Sequence, residues 1–254
     1  MAKLQVAIDL LSTKEALELA AKVAPYVDII ELGTPLIKSE GLAVIKAMKA
    51  AHPDKLVFAD FKTADTGELE AGMAFGAGAD LVTILGSVDD ATIIGAVKAA
   101  KEHGKGVVVD TIGVKDRVKR AQEVSKLGVE FVELHAGLDE QAAPGYSIQV
   151  LIDEAKRAGV PVSIAGGVNL KTIAAVKQAG VAVAVAGGAI YGAEDPAAAA
   201  KALREALDAA YANCWLALAI LTKSPGPLPG LFCAPLALCN PALPSPAPRG
   251  TIPR

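Results

Sequence analysis

Asp60 and Lys62 stand two residues apart in the run Asp60-Phe61-Lys62-Thr63-Ala64-Asp65. In an extended strand end, side chains two apart point the same way. A carboxylate and an ammonium would then sit side by side. That pairing suits metal ligation and the stabilisation of a developing negative charge. It also suits an ordinary surface ion pair, which is worth little. Asp65 falls beyond the strand, placed to cap the next helix or to reach a neighbouring subunit. Other short apolar runs close on Asp9, Glu31, Asp110 and His135. A lone aspartate at such a place also serves as a cap or loop anchor. His135 is the one histidine placed at a strand end to exchange a proton near neutrality. Its plainer alternative is a hydrogen-bonded core histidine. His52 and His103 fall near helix ends on the opposite rim, where solvent is expected. The pairs Gly166-Gly167 and Gly187-Gly188 let backbone N–H groups approach an anion closely, or they ease tight turns.

These residues need a scaffold that brings strand ends together. Eight β-branched runs recur: Leu4–Asp9, Val27–Leu32, Leu56–Asp60, Leu81–Leu85, Gly106–Thr111, Phe131–His135, Val162–Ala165 and Val181–Ala186. They are too short for helices, and their near-continuous apolarity predicts strands buried on both faces. Amphipathic segments follow each of them: Thr13–Val23, Gly41–Ala51, Gly67–Phe75, Asp89–Glu102, Asp116–Lys126, Ile148–Arg157, Leu170–Gln178 and Pro196–Ala210. Ser12 or Thr13, Asp89, Asn169 and Asp195 are plausible helix caps. Eight βα units at a spacing of roughly 25 residues predict one (β/α)8 TIM barrel, an α/β fold. A doubly wound open sheet would more often use five or six strands, and no Gly-rich dinucleotide turn follows the first run. In an eightfold barrel the catalytic groups sit at the C-terminal ends of the strands. The loops after strands 7 and 8 usually bind phosphate. Ala186–Tyr191 would form a short extra helix there, its N-terminus facing the anion.

The chain has 254 residues, 52% hydrophobic and 21% charged, with a formal net charge of −3. That balance gives no reason to expect nucleic acid or an acidic membrane as partner. No run reaches the ~20 apolar residues of a membrane span. The first residues lack a signal-peptide layout, and Cys214, Cys233 and Cys239 all lie near the C-terminus. A cytoplasmic setting is therefore expected. The barrel is assigned to residues 1–212 and a tail to 213–254. That tail holds nine of the fifteen prolines and little charge. It is expected to be disordered, since proline removes donors. Read-through or a shifted frame would also account for its composition.

Several segments together resemble the 3-hexulose-6-phosphate synthase family, within the orotidine 5'-monophosphate decarboxylase superfamily. They are Leu4–Leu10, Ile30–Leu36, Asp60-x-Lys62-x-x-Asp65, His135–Gln141, Ala165–Gly167 and Ala186–Gly192. The likeness covers about residues 2–212. It implies aldol addition of formaldehyde to D-ribulose 5-phosphate through an enediolate, with Mg2+ and a homodimer. By the same resemblance Glu31 and Asp60 match metal ligands, and Lys62 matches the lysine beside the enediolate. Asp65 matches an aspartate contributed across the dimer, Asp9 a substrate-binding aspartate, and His135 the proton-transfer histidine.

The nearest rival is the related 3-keto-L-gulonate 6-phosphate decarboxylase. It typically carries arginine three residues after the histidine and another after the strand-8 glycine. Here those places hold Leu138 and Gly188. Both departures favour the synthase, and Gly188 implies a phosphate held mainly by backbone N–H groups. A non-catalytic barrel with a binding or targeting tail is the second alternative.

Overall fold

The computed structural model describes the backbone of residues 1–221 and the side chains of residues 1–209. Its strands are β1 (Lys3–Ile8), β2 (Ile29–Leu32), β3 (Leu56–Thr63), β4 (Leu81–Leu85), β5 (Gly106–Asp110), β6 (Phe131–His135), β7 (Val162–Ala165) and β8 (Val183–Ala186). Each pairs in parallel with the next, and β8 returns to β1 to close the barrel. The helices are α1 (Thr13–Val23), α2 (Thr34–Glu40), α3 (Ala43–Ala51), α4 (Gly67–Gly76), α5 (Asp90–His103), α6 (Arg117–Val124), α7 (Leu138–Gln141), α8 (Gln149–Ala158), α9 (Ile173–Gln178), α10 (Gly188–Tyr191) and α11 (Pro196–Leu221). The TIM barrel expected from the eightfold repeat is the observed fold.

Strand alternation divides the core in two. Leu4, Val6 and Ile8 of β1 and Val107 and Val109 of β5 pack in the large cluster that also holds helical residues such as Leu19, Ile93 and Leu203. Ile29, Phe58, Val108 and Phe131 pack in a separate cluster made of strand residues, which fills the barrel. Period-2 alternation puts Glu31, Asp60, Asp110 and Glu133 on the same interior side as these residues, two positions further along. All four are buried. The runs look apolar because both strand faces are covered, and the interior carboxylates are spaced among them.

Helix caps follow the sequence in part. Ser12 Oγ accepts from the Glu15 amide at 3.5 Å, and Asp195 Oδ1 accepts from the Ala198 amide at 3.1 Å. Asp89 precedes α5 but makes no side-chain cap bond. Gly67 and Gly95 let α4 and α5 pack closely. A Cβ on Gly67 would collide with the Thr92 carbonyl oxygen, and one on Gly95 would lie 3.1 Å from the Glu68 amide nitrogen. Helix α2 was not expected. Thr34-Pro35 opens it, with proline in the first turn, where its missing N–H costs nothing.

Among the described residues no helix is long and apolar enough to cross a membrane. Met1–Trp215 make one compact unit. Beyond the backbone of α11, the Pro-rich segment and its expected disorder lie outside the described residues. Leu203 and Leu207 anchor α11 in the core. Deleting Cys214–Arg254 is therefore expected to leave the thermal midpoint of the barrel unchanged, with the helical circular dichroism signal falling only by the end of α11 that is removed. The same deletion should abolish disulfide-linked species on non-reducing gels, because all three cysteines leave. A truncated chain that melts several degrees lower would show that these residues contribute to the fold.

Candidate active site

The strand ends open on a cavity of ≈ 1160 Å³. Asp9, Glu31, Asp60, Lys62 and His135 line it, as do Gly166-Gly167 and Gly187-Gly188. Asp65 does not line this cavity. It is exposed, and its Oδ1 accepts from the Thr66 amide at 2.7 Å. It does not cap α4; the residue before that helix is Thr66, which has φ 49° and makes no side-chain cap bond.

The expectation that Asp60 and Lys62 meet holds, but by another route. Lys62 Nζ donates to Asp60 Oδ2 at 2.7 Å. The backbone is not a regular extended strand, however. Lys62 has φ 48°, and the β3–β4 register shifts between Ala59 and Thr63. A non-glycine residue in the left-handed region is strained by ~1–3 kcal/mol. Here the Lys62 amide donates to Thr83 Oγ1 at 2.9 Å, which holds the bulge in place.

From Lys62 a chain of charged contacts runs across the floor. Lys62 Nζ also donates to Asp110 Oδ2 at 2.9 Å, and His135 Nδ1 lies 2.9 Å from that same oxygen. Asp110 Oδ1 accepts from the Ile112 amide at 2.8 Å. Asp60 takes two hydroxyls, Thr83 Oγ1 on Oδ1 and Thr34 Oγ1 on Oδ2, each at 2.8 Å. Glu31 Oε2 accepts from Gln5 Nε2 at 2.7 Å. Glu133 Oε2 accepts from Ser163 Oγ at 3.2 Å, while its Oε1 lies 3.7 Å from His135 Nδ1.

The electrostatics follow from this crowding. Burial would lower the Lys62 pKa, but the charges of Asp60 and Asp110 more than reverse it and lift it above the ordinary lysine value. Lys62 therefore stays an ammonium, unsuited to Schiff-base formation. Burial would raise Asp110. The hydrogen bond and charge of His135, then Lys62, instead carry it down to about 2. Burial, then Asp110, pushes Glu133 up to about 7. Burial lifts Glu31 well above the carboxylate range, with Asp60 and Glu133 adding to it. Burial and Asp60 also raise Asp9, against Lys62 and His135. For His135, burial works downward, and the Asp110 hydrogen bond and charge overcome it to raise the pKa.

The two glycine pairs differ. Gly166 and Gly167 have φ of 119° and 87°, and a Cβ on Gly166 would lie 2.6 Å from the Ala136 carbonyl oxygen. Their own backbone demands glycine. At Gly187 and Gly188 φ is not positive, and a Cβ would meet protein atoms no closer than 3.5 Å and 3.9 Å. The protein leaves room there for a side chain. The short helix expected after β8 is present as α10.

Of the strand-end candidates, Asp110 proves central as the link between Lys62 and His135. Glu133, Thr83, Thr34 and Gln5 went unread. Three of them carried a signal: a polar residue inside an apolar strand, as in Phe131-Val-Glu-Leu-His135. Glu133 is two residues before His135, the same spacing that singled out Asp60 and Lys62. His52 is half-buried and His103 exposed, the latter with its ring 5.7 Å from Phe75.

Residues 2–203 match the orotidine 5'-phosphate decarboxylase / HUMPS family. A 3-hexulose-6-phosphate synthase from Mycobacterium gastri is 70% identical over 205 residues, 81% of this chain and 99% of that protein. A crystal structure of a 3-hexulose-6-phosphate synthase, also 70% identical, superposes with a TM-score of 0.80 over 81% of this chain and 99% of its own. A 3-keto-L-gulonate-6-phosphate decarboxylase from Vibrio cholerae is 30% identical, with a TM-score of 0.72 over 82% and 98% of the two chains.

Proposed function

This chain is an enzyme of the orotidine 5'-phosphate decarboxylase / HUMPS family, and from that premise we propose that it adds formaldehyde to D-ribulose 5-phosphate. The product is D-arabino-hex-3-ulose 6-phosphate, and the reaction runs through a 1,2-enediolate. The observation that carries this reading is the chain Asp60–Lys62–Asp110–His135 on the floor of the cavity. It provides a fixed positive charge beside a proton-transfer group, which is what an enediolate requires.

The proton at C1 of ribulose 5-phosphate is acidic because C2 is a carbonyl. His135 removes it. Asp110 occupies Nδ1, so Nε2 is the ring nitrogen left to exchange a proton, and the Asp110 charge stabilises the imidazolium that results. Lys62, held as an ammonium, faces the oxygen on which negative charge develops. C1 then attacks the formaldehyde carbon and forms the new carbon–carbon bond as the C2 carbonyl reforms; the formaldehyde C=O π bond breaks, and its oxygen takes the proton back from the His135 imidazolium. Replacing His135 by asparagine is expected to slow C1 deuterium exchange, measured by NMR in D2O without formaldehyde, by ~10²–10⁴-fold. Unchanged exchange would point to Asp9 as the base.

Mg2+ belongs to the same reading. Glu31 and Asp60 line one cavity, and Glu31 is pushed up by burial and by two neighbouring carboxylates. Such crowded oxygen donors suit a hard divalent cation. When bound, the ion supplies charge that stabilises an anionic substrate oxygen. Asp110, Glu133 and His135 also cluster within 4.8 Å. Asp110, however, is not among the residues that line the cavity, whereas Glu31 and Asp60 both are, so the latter pair are the better holders. The room at Gly187 and Gly188 suits a phosphate seated against backbone N–H groups. Gly188→Val is expected to fold normally and to raise KM for ribulose 5-phosphate by about tenfold, the effect of one lost charged hydrogen bond. An unchanged KM would place the phosphate elsewhere.

A homodimer with shared sites accompanies this proposal. Leu69 and Met73 of α4, the helix that follows Asp65, and Ile94 of α5, which packs on α4, are large apolar side chains left exposed. Asp65 would then serve the cavity of the second copy. The decarboxylase reading is weaker. Leu138 and Gly188 both line the cavity, and Lys62 is the one lysine or arginine doing so among the described residues. No guanidinium stands there to protonate the intermediate. The test is an assay of ribulose 5-phosphate with formaldehyde and Mg2+, repeated after chelation. Loss of product on chelation supports the proposal, while release of carbon dioxide from 3-keto-L-gulonate 6-phosphate at a higher rate would favour the rival.

A further inference from the structure

Gln5 is a fully buried amide inside the barrel. Leu4, Val6 and Ile8 of β1 pack with the helices, so strand alternation turns Gln5 inward. Its partners in register, Ile29 and Val185, belong to the apolar cluster that fills the barrel. An amide costs free energy among such neighbours unless it is hydrogen-bonded. Gln5 is satisfied on one side only. Its Nε2 donates to Glu31 Oε2 at 2.7 Å, while its Oε1 is buried without a hydrogen-bond partner. An aliphatic side chain would leave no such orphan. The bond to Glu31 is what an amide adds at this place.

Glu31 needs an anchor. The charges of Asp60 and Glu133 both repel it, and Gln5 is its one hydrogen-bond donor among the described residues. Its other oxygen, Oε1, makes no hydrogen bond there and is not one of the buried orphan atoms, so it opens on the cavity that Glu31 lines. The kind of donor matters. Asp60 gives Oδ2 to the Lys62 ammonium, which offsets its charge, and takes two hydroxyls besides. The Gln5 amide is neutral, so it fixes Glu31 Oε2 and leaves the negative charge of the carboxylate for a cation. We propose that Gln5 is the positioning residue of the metal site: it locks the Glu31 carboxylate so that Oε1 faces the divalent cation, without neutralising it. This rests on the assignment of Glu31 as a metal ligand. Removing a group that orients a metal ligand typically weakens the metal by ~10–100-fold.

Mn2+ binding to the full chain without substrate, followed by the electron paramagnetic resonance signal of the free ion, tests the role of Gln5. Gln5→Met fills much the same space and removes the donor. Its Kd for Mn2+ should rise ~10–100-fold, with the metal-free thermal midpoint little changed. Gln5→Asn keeps an amide that is one methylene too short to reach Glu31. It should bind Mn2+ as weakly, and it serves where the methionine variant does not fold. Glu31→Gln removes one ligand and leaves Asp60. Adding Gln5→Met to Glu31→Gln should change the Kd by less than about twofold, because a residue that acts through Glu31 has nothing further to lose. The proposal falls if the folded Gln5 variants bind Mn2+ like the wild type, or if Gln5→Met weakens binding by the same factor with and without Glu31. It falls together with the metal assignment if the wild type binds no Mn2+. A wild type that binds Mn2+ through Gln5 and Glu31 but forms no hexulose phosphate would overturn the reaction and leave the role of Gln5 standing.

Discussion

Asp60→Ala is expected to lower kcat for hexulose phosphate formation by ~10³-fold or more while leaving the barrel folded. Removing a single oxyanion-stabilising group commonly costs 10²–10³, and Asp60 does more than one thing. Its Oδ2 holds Lys62 at 2.7 Å, and by the proposed assignment the same carboxylate would hold the metal ion. Loss of Asp60 therefore disturbs both positive charges meant for the enediolate. Stability should behave differently. Asp60 raises the pKa of Glu31 and of Asp9, so its own charge works against burying those carboxylates. Without it that repulsion is relieved, and Lys62 still has Asp110 as partner. The variant should melt no lower than the wild type. A folded, Mg2+-saturated variant turning over at near the wild-type rate would sink the assignment.

Lys62→Met is expected to be as inactive, and unstable as well. The Lys62 side chain is 22% exposed and faces Asp60 and Asp110, which are 7% and 0% exposed. Removing the cation leaves buried carboxylates uncompensated, a change that typically costs about 3 kcal/mol. The pH dependence should also change. In the wild type the Asp110 pKa is depressed to about 2, below its unfolded value. Its contribution is therefore complete above the unfolded pKa near 4 and is lost as pH falls toward 2. In the variant Lys62 no longer opposes burial, and Glu31 and Glu133, already raised, rise further. Raised carboxyls contribute stability below their unfolded pKa and lose it as pH rises. Urea titrations between pH 4 and pH 8 should show the variant losing ground to the wild type as pH increases. A constant difference across that range would mean that Lys62 does not offset the carboxylates. Together the two substitutions separate chemistry from stability: both remove activity, and only the loss of the cation destabilises the fold.

The eightfold architecture was legible because each βα unit is locally specified. Short β-branched runs, glycine stops and amphipathic helices repeat without long-range information, and closure follows once eight parallel strands are present. The strand-end rule then found Asp9, Glu31, Asp60, Lys62 and His135, which all reach the cavity. Helix α2 escaped notice because seven residues are too few for a helical period to emerge. With it went Thr34, whose hydroxyl orients Asp60.

What the sequence determined by itself is which residue types close which strands, for that depends only on local pattern. What only the tertiary structure decided is how those groups share charge. The bulge at Lys62, with φ 48°, exists because Thr83 of the neighbouring strand holds the Lys62 amide. Asp110 meets Lys62 from 48 positions away in the chain and His135 from 25. No spacing rule reaches that far, whereas barrel closure sets all three on one floor. Glu133 read as one more polar residue in a strand; its pKa near 7 arises from burial and from Asp110 beside it. Charge, proton affinity and backbone strain are properties of the assembled interior, because Coulomb interactions and desolvation depend on distance in space and not along the chain.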